Sequence, residues 1–164
     1  MKTLVLVVAV ALPISSAQAQ LQPVRTQFGV QLSFADDAEL GVGGRVRYGL
    51  QSFFPRAPLS SIGSLDIFFP GNNVTYAEIN YNVVYNFRIG SAPRVGPYAG
   101  GGLNFAYAKV DLGAGAGSQS NTDLGLNIVG GMNFNGRSRL TPFLELRAEL
   151  GGGEQLVFTG GIYF

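Results

Sequence analysis

Large apolar residues recur at every second position along most of this chain, in stretches of about ten residues divided by turn signals. Gln27 to Phe34 places Phe28, Val30, Leu32 and Phe34 on one face, and Gln27, Gly29, Gln31 and Ser33 on the other. Leu40 to Leu50 sets Leu40, Val42, Val46, Tyr48 and Leu50 against Gly41, Gly43, Arg45, Arg47 and Gly49. A weaker stretch, Ile62 to Phe69, reads as Leu65, Ile67 and Phe69 outward with Asp66 inward. Thr75 to Phe87 alternates cleanly, with Ala77, Ile79, Tyr81, Val83, Tyr85 and Phe87 opposite Glu78, Asn80, Asn82, Val84 and Asn86. Period two is the signature of a strand with two unlike faces.

The second half repeats the pattern. Pro97 to Tyr107 sets Ala99, Leu103, Phe105 and Tyr107 against Tyr98, Gly100, Gly102 and Asn104. Asp123 to Phe134 sets Leu124, Leu126, Ile128, Met132 and Phe134 against Asp123, Gly125, Asn127, Val129 and Asn133. Pro142 to Leu150 sets Leu144, Leu146, Ala148 and Leu150 against Phe143, Glu145, Arg147 and Glu149. The last stretch sets Leu156, Phe158, Ile162 and Phe164 against Gln155, Val157, Thr159 and Tyr163. Eight strands are thus predicted and no helix-period segment interrupts them. Residues 108–121, rich in Gly, Ala and Ser, read as a flexible loop. Pro97 and Pro142 fit the first position of a strand, where a missing N–H is tolerated.

Composition then decides what kind of β protein this is. Charged residues make up 13% of the 164, about half the usual share, and mean hydropathy is positive. Residues 1–19 read as a secretory signal peptide: Lys2, an apolar run from Leu4 to Ile14, and a small-residue site at Ala17-Gln18-Ala19. That run is too short to span a bilayer as a helix. The domain is expected over 20–164. An apolar exported chain without a spanning helix leaves the closed β-barrel as its membrane solution, since only closure satisfies every backbone group in lipid. Net charge is +1 and argues against a nucleic-acid partner. Cysteine is absent, so no disulfide framework holds the fold.

An eight-stranded barrel can also be soluble, with a greasy cup inside. The faces separate the two readings. The large-apolar face carries no Asp, Glu, Lys or Arg in any assigned strand. The opposite face carries Arg45, Arg47, Asp66, Glu78, Asp123, Glu145, Arg147 and Glu149. An eight-stranded interior is only wide enough for side chains or one small ligand, and cannot hold all these aromatics. The apolar face therefore points to lipid, and the charged set is expected to form a structural network in the lumen. Phe34, Tyr48, Phe53, Phe54, Phe87, Tyr107, Phe134 and Phe164 fall near strand ends, as interfacial girdles require.

The signal sequence, eight strands of this length, the Pro-Tyr and Pro-Phe strand entries and the terminal "GGIYF" resemble the small eight-stranded outer-membrane β-barrel family. Its members include the OmpA transmembrane domain, OmpX and the opacity proteins. The resemblance implies an all-β, antiparallel up-and-down transmembrane barrel in the bacterial outer membrane, with short periplasmic turns. It implies outer-membrane lipid and lipopolysaccharide as surroundings. It also implies that the last strand, through Phe158, Ile162 and Phe164, is read by the barrel-assembly machinery.

Candidate chemistry is sparse. Without His or Cys, no Ser-His or Cys-His apparatus can be built. Glu145 and Glu149 share the lumen face, but Arg147 lies between them, which favours charge pairing over acid–base catalysis. Asp36, Asp37 and Glu39 read as a solvated acidic turn and do not define a metal cage. Asn73-Val74-Thr75 matches a glycosylation sequon but suits a turn. The expectations are a non-enzymatic, cofactor-free, monomeric barrel with a structural or surface-interaction role, the interaction presented through residues 108–121. A narrow channel for ions or small solutes is the alternative, and a soluble periplasmic ligand-binding barrel a third.

Overall fold

The structure is a computed structural model that describes residues 26–36, 39–71, 74–111, 117–136, 139–151 and 154–164. The expected signal peptide at 1–19 lies outside the described residues. Eight strands follow in order: β1 (Gln27–Ala35), β2 (Glu39–Gly49), β3 (Leu59–Phe68), β4 (Val74–Asn86), β5 (Val95–Asp111), β6 (Ser118–Phe134), β7 (Thr141–Leu150) and β8 (Leu156–Tyr163). Each pairs antiparallel with its neighbours in sequence, and β1 pairs with β8 to close the barrel. Among the described residues no helix is long and apolar enough to cross a membrane.

Closure follows from the register. Gly29 faces Tyr163 and Ala35 faces Val157 along the seam. Phe164 donates its N–H to Phe28 O at 2.9 Å at one end. At the other, Leu156 donates its N–H to Asp36 Oδ1 at 2.8 Å and Asp36 donates its own to Leu156 O at 3.2 Å. The strands are strongly staggered. Following backbone partners from Val30 through Gly44, Leu65, Ile79 and Phe105 arrives at Leu124, already past the last β6–β7 pair, Leu126↔Leu150. Such stagger is the geometric requirement for a small closed barrel with tilted strands.

The faces are those that the alternation predicts. Phe28, Val30, Leu32 and Phe34 are exposed, as are Leu65, Ile67 and Phe69 of the weak third stretch, while Asp66 is wholly buried. Phe34 and Tyr107 lie toward the rim opposite the termini. Tyr48, Phe53, Phe54, Phe87, Phe134 and Phe164 lie toward the terminal rim.

Two features depart from the sequence reading. First, residues 108–121 are not a simple loop. Strand β5 continues to Asp111 and β6 begins at Ser118, with Asp111 paired to Ser118. A backbone ladder needs no apolar side chains to propagate, so residues 108–111 and 118–121 stay paired beyond the barrel wall. Because β3–β4 pairing ends at Phe68↔Tyr76 while β4–β5 pairing continues to Val74↔Val110, the ends of β4, β5 and β6 project together above one side of the rim.

Second, the connections at the terminal rim are not the short ones. They span 50–58, 87–94 and 135–140, against 36–38, 69–73, 112–117 and 151–155 at the opposite rim. Pro55, Pro58 and Pro93 cannot donate to a ladder, which ends pairing early there. Among the described residues, those of positive φ are Glu39, Gly71, Gly117 and Gly151, all at the opposite rim. Tight hairpins require that left-handed conformation.

Candidate functional site: the lumen

Inward alternation delivers long charged and amide side chains into a tube with little room, and their partners come from strands far apart in sequence. In the half away from the termini, Arg147 of β7 sits between two carboxylates. Its Nη2 donates to Glu78 Oε2 of β4 at 2.6 Å and its Nε to Glu149 Oε1 at 2.7 Å. Gln155, just before β8, donates to Glu78 Oε1 at 2.5 Å and to Glu149 Oε2 at 2.8 Å. The Tyr76 hydroxyl adds a further bond to Glu78 Oε1 at 2.7 Å. Ala35, Phe68 and Val157 pack as an apolar cluster, with Tyr76 against it.

Asp66 forms a separate cluster. Its Oδ1 accepts from Gln31 Nε2 at 2.6 Å and from the Ser33 hydroxyl at 3.2 Å, and its Oδ2 from the Ser64 hydroxyl at 3.3 Å. Amides fill the next stretch of lumen: Asn104 and Asn127 both donate to Asn80 Oδ1, at 3.1 and 2.9 Å, and Asn127 also to Asn82 Oδ1 at 3.0 Å.

Toward the terminal rim, Arg45 Nη2 donates to Glu145 Oε2 at 2.8 Å, and the Tyr98 hydroxyl donates to the same oxygen at 2.8 Å. The Arg45 guanidinium lies over the Phe143 ring at 4.3 Å and near Tyr163 at 5.6 Å, in the range of cation–π attraction. Arg47 bonds to Asn86 Oδ1 and lies 5.3 Å from the Tyr98 ring. Ile62, Val84 and Val129 pack on Tyr98 as an apolar plug. Space for these rings is made by glycine. A Cβ on Gly131 would lie 2.5 Å from the Tyr98 hydroxyl, and one on Gly161 would lie 2.5 Å from the Phe143 ring.

The charged residues singled out from sequence therefore divide. Arg45, Arg47, Asp66, Glu78, Glu145, Arg147 and Glu149 are buried in the lumen, in three groups instead of one network. Arg147 pairs with Glu149 but not with Glu145, which reaches across the lumen to Arg45 instead. Asp123 stands apart. It lies on the part of β6 that rises past the end of β7 and accepts from Asn121 Nδ2 at 2.7 Å in an exposed contact. Phe158, Ile162 and Phe164 are exposed on the outer wall at the seam. Asp36 clamps that seam, and Asp37 lies outside the described residues, as does Asn73 of the sequon. Gln31, Tyr76, Tyr98 and Gln155 complete the clusters without having been singled out. Their inward parity was the available signal, but neutral side chains gave no reason to prefer them.

No catalytic constellation emerges from these contacts. Each lumen carboxylate is occupied by donors from neighbouring side chains, and among the described residues no group of three acidic side chains could hold a metal ion. An apolar groove of about 620 Å³ lies on the outer wall, lined by Val30, Leu32, Val42, Leu65, Ile67 and Ile162 among others, together with the outward glycines Gly44 and Gly160.

Residues 3–149 match the outer membrane protein beta-barrel domain family. The chain belongs to that family. It is a protein of the bacterial outer membrane, and the apolar outer wall is the surface that meets lipid. No curated protein matches it. Among solved structures, the N-terminal β-barrel domain of Pseudomonas aeruginosa OprF is similar with a TM-score of 0.62 at 15% identity, covering 87% of this chain and 98% of that one. Neisserial surface protein A gives 0.59 at 17% identity, covering 84% and 94%. Ail, the attachment invasion locus protein of Yersinia pestis, gives 0.55 at 19% identity, covering 84% and 93%. At these identities the likeness is one of fold. The soluble periplasmic barrel is thereby set aside.

Proposed function

We propose that this outer-membrane barrel is non-enzymatic and non-conducting, and that it serves the envelope structurally while meeting partners at the cell surface through the projecting ends of β4, β5 and β6. The observation that carries this reading is the occupation of the lumen. The Arg147 cluster, the amide layer, the apolar plug and the Arg45–Glu145 pair fill the lumen with buried side chains that bond or pack on one another. Above the rim, Ser118 to Leu124 of β6 has no partner strand on its β7 side, and its side chains are mostly small and polar. One similar barrel is named for attachment and invasion, which agrees with a surface role. The projecting sheet is read as extracellular and the termini as periplasmic.

Purified protein in planar bilayers is expected to give no reproducible single-channel steps; regular openings would establish the channel alternative instead. Outer-membrane lipid and lipopolysaccharide surround the monomer. The barrel-assembly machinery is proposed to read Phe158, Ile162 and Phe164, whose side chains stay exposed on the closing strand. Deleting Phe164 should then lower the fraction of protein inserted in the outer membrane of living cells while leaving refolding into detergent micelles unchanged. Equal insertion with and without Phe164 contradicts that role.

A further inference from the structure

Charge in the lumen is unevenly divided. Toward the terminal rim two guanidinium groups, Arg45 and Arg47, share one carboxylate, Glu145, and Glu145 is engaged by Arg45. Arg47 has an amide oxygen and an aromatic face as partners, neither of which cancels its charge. Both arginines are more than nine-tenths buried and Tyr163 is wholly so. Among the described residues, Arg45 Nε and Nη1, Arg47 Nε and the Tyr163 hydroxyl have no hydrogen-bond partner. Leaving one donor unmet is a modest cost, but an unpaired buried charge is a severe one. The Arg147 cluster shows the contrast, since there carboxylates outnumber the guanidinium and all of them accept several bonds.

We propose that the terminal-rim half of the lumen is a binding site for a small inorganic anion of halide size, held by Arg47 Nε, Arg45 Nη1 or Nε and the Tyr163 hydroxyl. The donors come from three side chains on two strands and do not form the parallel fork that suits a carboxylate. A spherical acceptor takes bonds from any direction and meets that arrangement. The rings of Phe143, Tyr163 and Tyr98 lie against the two guanidinium groups, at 4.3 and 5.6 Å from Arg45 and 5.3 Å from Arg47 respectively. Entry is from the terminal rim, because Arg47 lies two residues from Gly49, the end of β2. The anion completes the neutralisation that the sequence leaves one charge short, and so ties β2 to β8 across the seam strand β1.

Bromide is a direct probe. Crystals of the full-length barrel grown in sodium bromide should show an anomalous peak within hydrogen-bond distance of Arg47 Nε, and Arg47→Gln should lose it. In solution, thermal unfolding followed by gel mobility should have a midpoint about 3 °C higher in sodium chloride than in sodium gluconate of equal ionic strength, which is the shift that ~1 kcal/mol gives a chain of this size. Asn86→Asp, which places a carboxylate against Arg47, should fold normally and abolish both the peak and the salt difference. A wild-type midpoint equal in the two salts, with no anomalous peak, overturns the proposal. A salt difference that persists unchanged in both variants would reflect general surface effects and also overturns it.

Discussion

Arg147 is the residue on which the lumen's charge balance turns. It is wholly buried and bonds two carboxylates that come from strands three apart around the barrel. Replacing it with Leu preserves bulk but leaves Glu78 and Glu149 facing one another without a cation. Breaking a buried pair by removing one partner costs about 3–5 kcal/mol, because the remaining charge stays desolvated. Arg147→Leu should therefore lower the urea midpoint of barrel unfolding in lipid vesicles by an amount in that range. The triple variant Arg147→Leu, Glu78→Gln, Glu149→Gln should recover most of the loss. If the single variant unfolds at the wild-type midpoint, the ion pairs do not hold the lumen together.

At the scale of the element, the closing strand shows what alternation can and cannot specify. Strand β8 reads from sequence as Leu156, Phe158 and Ile162 outward, with Val157, Thr159 and Tyr163 inward, and the structure has those faces. Period two assigns a face to each residue but carries no information about height. The stagger between strands decides which inward residues meet, so Arg45 finding Glu145, 100 residues away, could not be read from the chain. The same limit placed Asp123 among the lumen charges, although stagger lifts it clear of β7. Strand ends were legible only where proline or a turn signal interrupts the alternation, and beyond Tyr107 no proline ends the pairing, which reaches Asp111↔Ser118. Asp36 illustrates a contact that depends on closure: its carboxylate accepts the Leu156 amide only because β1 and β8 are neighbours. Asp36→Ala should speed hydrogen exchange at the Leu156 amide while the Thr159 amide, inside the seam, keeps its protection. Loss of protection along all of β8 would mean that the turn, rather than the ladder, holds the seam.

The whole molecule is inverted relative to a soluble barrel, and depth in the bilayer is the variable that tests this. Leu32 lies near the middle of β1 and is 59% exposed, while Phe87 follows the end of β4 at the terminal rim and is 40% exposed. Neither is a core residue by burial, so in water a charge at either position would be nearly neutral for stability. In a membrane the two positions differ, since Arg on the lipid face costs about 2–4 kcal/mol at the midplane and only about 0–1 near the interface. Leu32→Arg should therefore destabilise the barrel in vesicles by several times more than Phe87→Arg. The gap should shrink on transfer to micelles, whose detergent can rearrange around a buried charge. Equal effects of the two substitutions in vesicles would mean that Leu32 does not face the hydrocarbon. The outward glycines Gly44 and Gly160 add a second reason to look at this depth. They leave the wall concave beside Leu32, so an Arg there meets a groove lined mostly by apolar side chains.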